Sequence, residues 1–150
     1  MYWEEKIERL KKELAPADFH VPYTDAQSIL KKIETCFIER NISFTINWSE
    51  NIKGKYLLVK IPETHFIQFL NKLNAGTNYW IVLVFDNEPT AKPMIYDGKP
   101  KVISRLATLS GGSFFIADKK YNWLTFFHLD DDKQSFTIYK SGNNITPFEK

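Results

Sequence analysis

Gly111-Gly112-Ser113-Phe114-Phe115-Ile116-Ala117-Asp118-Lys119-Lys120-Tyr121-Asn122-Trp123-Leu124-Thr125-Phe126-Phe127-His128-Leu129-Asp130-Asp131-Asp132-Lys133-Gln134-Ser135-Phe136-Thr137-Ile138-Tyr139-Lys140-Ser141-Gly142 contains three aromatic-rich strand signals separated by polar turns. Its spacing predicts a three-strand meander over about 113–117, 122–129 and 135–140. In the middle strand, Trp123, Thr125, Phe127 and Leu129 share one face, and Leu124, Phe126 and His128 share the other. Both faces carry large apolar groups, so both are expected to be at least partly buried.

Upstream of the meander, Val102 to Leu109 reads as a short helix that Gly111-Gly112 stops. Tyr79 to Phe85 is a run of seven apolar residues, the pattern of a central strand covered on both faces. It ends at the turn signal Asp86-Asn87-Glu88-Pro89. Met94-Ile95-Tyr96 reads as a short strand before Asp97-Gly98, a dipeptide typical of tight hairpin turns.

The first half of the chain has helical periods. Trp3, Ile7, Leu10 and Leu14 form one stripe, with Glu5 before Arg9 and Glu8 before Lys12 in the favourable order. A connector bracketed by Pro16 and Pro22 leads to Thr24 and Gln27 at capping-box spacing. The helix that follows is expected to reach about Arg40 and to bury Ala26, Ile29, Leu30, Ile33 and Phe37. Residues 43–48 and 56–61 then read as a β-hairpin around Asn51-Ile52-Lys53-Gly54. Pro62 suits the first turn of a third helix, with Phe66, Phe69, Leu70 and Leu73 as its stripe and Asn74-Ala75-Gly76 as its stop. The fold expected is α+β: a single domain over residues 1–150, with N-terminal helices on one face of a mostly antiparallel sheet that ends in the meander.

Composition narrows the function classes. The 150 residues are 43% hydrophobic, 25% charged and 15% aromatic, with 12 Phe, 7 Tyr and 4 Trp. Such aromatic wealth serves cores and interface centres alike. The 20 basic and 18 acidic residues are spread evenly, with no basic block of the kind that phosphate backbones demand. Cys36 is the only cysteine, which excludes an internal disulfide and a thiolate-rich metal site. The start, Met-Tyr-Trp-Glu-Glu-Lys, has no basic segment followed by an apolar one, and a cytoplasmic location is the expectation.

Motifs for chemistry are sparse. His20, His65 and His128 lack metal-ligand spacing, and no cofactor is expected. Neither a phosphate loop nor a Gly-x-Ser-x-Gly elbow is present, and Leu109-Ser110-Gly111-Gly112 reads as a helix stop. Cys36, near an apolar stripe, reads as a small hydrophobe. Asp130, Asp131 and Asp132 at a hairpin tip read as a solvated turn or as an acidic docking site for a basic partner. Together with neighbouring Tyr139 they form one candidate partner-binding surface. Lys119 and Lys120 beside Tyr121 and Trp123 form another, with single-stranded nucleic acid as its alternative ligand. A small-ligand or enzymatic pocket between sheet and helices is a further alternative, marked by His65 or His128 meeting a carboxylate.

Ile61-Pro62-Glu63-Thr64-His65-Phe66-Ile67-Gln68-Phe69-Leu70-Asn71-Lys72-Leu73-Asn74-Ala75-Gly76 resembles a segment of the SMI1/KNR4-like immunity superfamily, which carries Leu-Pro-x-x-Tyr, a following Phe-Leu and an Asn-Gly-Gly. Pro62, Phe69, Leu70, Asn74 and Gly76 match, whereas Ile61, His65 and Ala75 depart. Residues 114–124 resemble the Tyr-Tyr-Ile-Val-x-Lys-Lys-Tyr-x-Trp-Leu motif of small uncharacterised bacterial proteins. That family continues Glu-Asn-His-His where this chain has Thr125-Phe126-Phe127-His128. The resemblances imply a bacterial protein without catalysis of its own, which binds another protein and neutralises a toxin by covering its active site or substrate channel.

Overall fold

The computed structural model describes residues 2–14, 19–20, 26–39, 51–84, 94–142 and 144–149. Seven strands form one sheet: β1 (Phe19–His20), β2 (Tyr56–Pro62), β3 (Tyr79–Leu83), β4 (Met94–Gly98), β5 (Phe114–Ala117), β6 (Leu124–Leu129) and β7 (Ser135–Ser141). Their order is β1-β4-β3-β5-β6-β7-β2, and every pairing is antiparallel. The helices are α1 (Tyr2–Glu13), α2 (Ala26–Phe37), α3 (Phe66–Leu70) and α4 (Pro100–Ser110). The α+β class expected from the sequence is therefore the one observed.

The meander forms because its alternation matches two covered faces. Phe114, Ile116, Trp123, Phe127, Phe136 and Ile138 enter one buried cluster with Ile7 and Leu10 of α1, Phe66 and Leu70 of α3, and Ile103 and Leu106 of α4. Phe115, Ala117, Leu124 and Phe126 enter a second cluster with Leu30, Ile33 and Phe37 of α2. Helices thus cover both faces of the sheet, which corrects the one-sided arrangement expected from the sequence. The reason is the meander itself: β5 is buried at all four positions, and both of its faces need a lid. Phe114 and Phe127 stack with centroids 4.6 Å apart, and Phe115 and Phe126 do so on the opposite face at 4.4 Å.

Three local expectations need correction. Asp97-Gly98 is not a turn: both residues belong to β4, where Asp97 pairs with Trp80 and Gly98 with Tyr79. Pairing with β3 on one side and β1 on the other outweighs the turn preference of the dipeptide. Pro62 closes β2 with φ −59° and ψ 144° instead of opening a helix, and a 3₁₀ turn at Glu63–His65 precedes the five-residue α3. The stripe nevertheless faces inward, with Phe66, Leu70 and Leu73 buried and Phe69 partly so. Within the connector, Phe19 and His20 form β1. The caps at Thr24, the strand expected over 43–48 and the turn over 86–89 lie outside the described residues.

α4 begins two residues earlier than its apolar pattern suggests, because Pro100 at the start fixes a helical φ and has no N–H to orphan. It ends where Gly111 adopts φ 65° and its N–H reaches the Ala107 carbonyl at 3.0 Å. An Arg105–Glu13 ion pair at 2.6 Å ties α4 to α1.

Candidate functional site

The residues singled out in the sequence do not gather in one place. Lys119 and Lys120 occupy the β5–β6 turn, whereas Asp130 to Asp132 occupy the β6–β7 turn at the other end of β6, about 20 Å away at strand rise. Tyr139 lies opposite Phe126, near the Lys end of that ladder.

The acidic tip divides its carboxylates between structure and solvent. Asp130 accepts hydrogen bonds from Ser135 Oγ at 2.8 Å and from Thr137 Oγ1 at 2.8 and 2.9 Å, and Lys60 Nζ of β2 lies 3.6 Å away. Burial opposes its charge, yet the Thr137 and Ser135 hydroxyls, with the charges of Lys60 and His128, outweigh burial and hold its pKa below the ordinary value. Asp132 accepts from the Gln134 N–H at 2.9 Å, and Asp131 and Asp132 are exposed. Asp130 therefore pins the hairpin, which leaves its two neighbours facing water.

The Lys turn behaves similarly. Lys119 is ion-paired with Asp97, which also accepts from Asn78 Nδ2 at 2.8 Å, and its ammonium lies 4.1 Å from the Trp80 ring centroid. Lys120 is exposed. Tyr121, at φ 57°, has its phenol pKa raised by burial, against a smaller opposing contribution from Trp80. Trp123 is buried beside Tyr79 and Phe148, so its ring is not available to stack on a base. Of the two rings in the nucleic-acid arrangement, this leaves only the half-buried Tyr121.

Tyr139 is half-buried, stacked on Phe126 at 6.4 Å, with Lys55 Nζ 4.8 Å above its ring. His65 is exposed on the 3₁₀ turn, and His128 is tilted against Phe126 at 5.6 Å. Cys36 packs partly buried against the second cluster. Among the described residues, no group of three or more His, Cys, Asp or Glu is placed to hold a metal, and no helix is long and apolar enough to cross a membrane.

Of the six exposed large apolar side chains among the described residues, three lie on β2, at one end of the strand order. Tyr56 is 58% exposed, Leu57 56% and Val59 36%. A bulge between Leu57 and Val59 shifts the register against β7. Between this strand, the end of α3 and the C-terminal residues runs a groove of about 370 Å³, lined by Tyr56, Leu58, Val59, Phe69, Lys72, Phe148 and Glu149. Phe69 and Phe148 stack at 5.1 Å with an interplanar angle of 9°. Glu149 accepts from the Thr146 N–H at 2.6 Å and from Lys140 Nζ at 3.1 Å. The Thr146 backbone donor is the main reason its pKa lies below the ordinary value, with Lys140 adding to it against burial.

Sequence reading missed this groove. Its signal was Tyr56-Leu57-Leu58-Val59, four consecutive apolar residues where a strand buried on one face needs only alternate ones.

Comparison with protein-family models, curated proteins and solved structures gives no match. At the positions that carry the superfamily resemblance, the side chains have structural roles: Leu70 is fully buried, Phe69 walls the groove, and Asn74 Oδ1 accepts the Gly76 N–H at 2.9 Å.

Proposed function

We propose that this chain is a protein-binding module of the bacterial toxin-immunity kind, working in the cytoplasm without catalysis of its own. One observation carries the reading: Tyr56, Leu57 and Val59 stand exposed on a strand at the end of the sheet, beside an aromatic groove. Tyr56 and Val59 line the groove, and Leu57, paired with Tyr139, stands on the other face of the strand. Large apolar side chains left bare on an otherwise well-packed scaffold mark a contact surface, since water penalises leaving them exposed. Neutralisation of a toxin comes from the resemblance at Ile61–Gly76. The interface favoured by exposure is β2 and its groove, with Asp131 and Asp132 as a separate acidic margin.

The test is capture of the product of the neighbouring gene by the folded chain, together with rescue from that product's toxicity on co-expression. Capture and rescue are expected, and Leu57→Asp is expected to weaken capture about tenfold or more. Neither binding nor rescue would sink the reading. A second reading, small-ligand binding, draws on the groove volume, which lies near the lower end of the range of about 300–1,000 Å³ for ligand sites. No histidine is among the described lining residues, so the mark expected of an enzymatic pocket is not met there.

A further inference from the structure

We infer that the groove beside β2 receives an aromatic side chain flanked by a carboxylate, presented by an extended segment of the partner protein; this rests on the protein-binding reading. Three features of the groove lead there. Its wall is aromatic and held in place, because Phe69 and Phe148 are stacked and Phe148 is itself wedged edge-on against Phe127 at 5.3 Å. Tyr56 stands exposed at the rim, so an entering ring meets aromatic surface on two sides.

The second feature is charge. Lys140 is neutralised by Glu149 at 3.1 Å, whereas Lys72 has its ammonium 4.6 Å from the Phe69 centroid and no carboxylate within ion-pair distance among the described residues. The described lining therefore leaves one cation over the aromatic wall, where a ligand carboxylate meets it without displacing an existing partner. The third feature is shape. The groove opens along β2 past exposed Tyr56 and Val59, so a chain laid along the strand delivers a side chain into it.

The test follows the methyl resonances of Leu58 and Val59 while the whole protein is titrated with N-acetyl-Glu-Phe-Glu-amide, N-acetyl-Lys-Phe-Lys-amide and phenylacetate. The expected result is saturable shifts with the acidic peptide, binding about fivefold weaker with the basic one, and a reversed preference in Lys72→Glu. Tyr56→Ala, which keeps the charge, is expected to weaken both peptides. Any one of three results overturns the inference: no shift at Leu58 and Val59, equal affinity for the two peptides, or an unchanged preference in Lys72→Glu. Phenylacetate binding as tightly as the acidic peptide also overturns it, by assigning the groove to a free aryl acid. These titrations do not involve the natural partner. Failed capture by the wild-type chain sinks the protein-binding reading, and a failed titration with capture intact sinks only the groove inference.

Discussion

β6 and β2 are both short, apolar strands that pair with β7, one on each side of it, and they have opposite relations to water. In β6, Leu124 to Phe127 are all buried, whereas in β2 no residue is, and Tyr56 and Leu57 are more exposed than covered. The contrast does not come from hydrophobicity, since Tyr56-Leu57-Leu58-Val59 is as apolar as Leu124-Thr125-Phe126-Phe127. It comes from rank in the sheet. β6 has a strand on either side, α1, α3 and α4 contribute to the cluster on one of its faces, and α2 contributes to that on the other. β2 ends the order, and its bulge further loosens its register against β7. An apolar strand at such a position spends stability that burial would have supplied, which is the physical ground for reading it as a contact surface.

The sharpest test of this contrast is truncation at its buried pole. Phe127→Ala removes a fully buried ring that packs on Phe114, Phe69 and Phe148, and a loss of about 3–5 kcal/mol is expected in urea unfolding. A loss below about 1 kcal/mol would mean that the first cluster is not the stabilising core.

Gly142, just after β7, lets that strand close tightly on the turn before β6. Its φ is +108°, and an added Cβ would lie 2.4 Å from the Asn122 carbonyl oxygen and 3.0 Å from Trp123 Cα. Gly142→Ala is expected to cost about 2–3 kcal/mol in the same measurement, because both the clash and the backbone conformation resist a side chain.

The link between the two strands is testable by pH. Asp130, near the end of β6, faces Lys60 of β2, and Glu149 holds Lys140 at the groove. Both carboxyls have folded pKa values lowered from 3.8 and 4.5. A group that ionises more readily when folded stabilises the fold fully above its unfolded pKa, and that contribution fades as pH falls through the lowered folded value. The melting temperature is therefore expected to fall on acidification below about pH 4.5. The Asp130→Asn, Glu149→Gln double variant is expected to melt about 3 °C lower at pH 6 and to lose less on acidification. An unchanged acid limb in the variant would show that these carboxyls do not couple the edge strand to the sheet.

The smallest effect belongs to the exposed pole. Leu57→Lys should change unfolding free energy by no more than about 0.5 kcal/mol, since the side chain already faces water. A cost above about 2 kcal/mol would mean that Leu57 contributes to the core and that the contrast with β6 is false.

Much of this molecule was legible in local patterns because they report which faces need cover. The alternation through Trp123–Leu129 placed each side chain on its correct face, and of the run Tyr79 to Phe85, read as a doubly covered strand, Tyr79 to Leu83 form one. The stop at Gly111 was legible because a left-handed residue there suits glycine almost alone. Other features depended on partners distant in sequence. Asp97-Gly98 has the composition of a turn, yet β1 and β3 flank it and draw it into the sheet. Asp130 read as a solvated acid, but Ser135, Thr137 and Lys60 converge on it only once β2 and β7 pair. The four apolar residues Tyr56 to Val59 signalled more apolar surface than one covered face needs, but the position of β2 at the end of the sheet was not legible, because hydropathy records how much a side chain avoids water and not whether a neighbour arrives to cover it. Periodicity along the chain specified the strands and helices and the inward face of most of them. Long-range pairing decided which strand was left uncovered, because burial depends on the layers assembled around a residue and not on the residue alone.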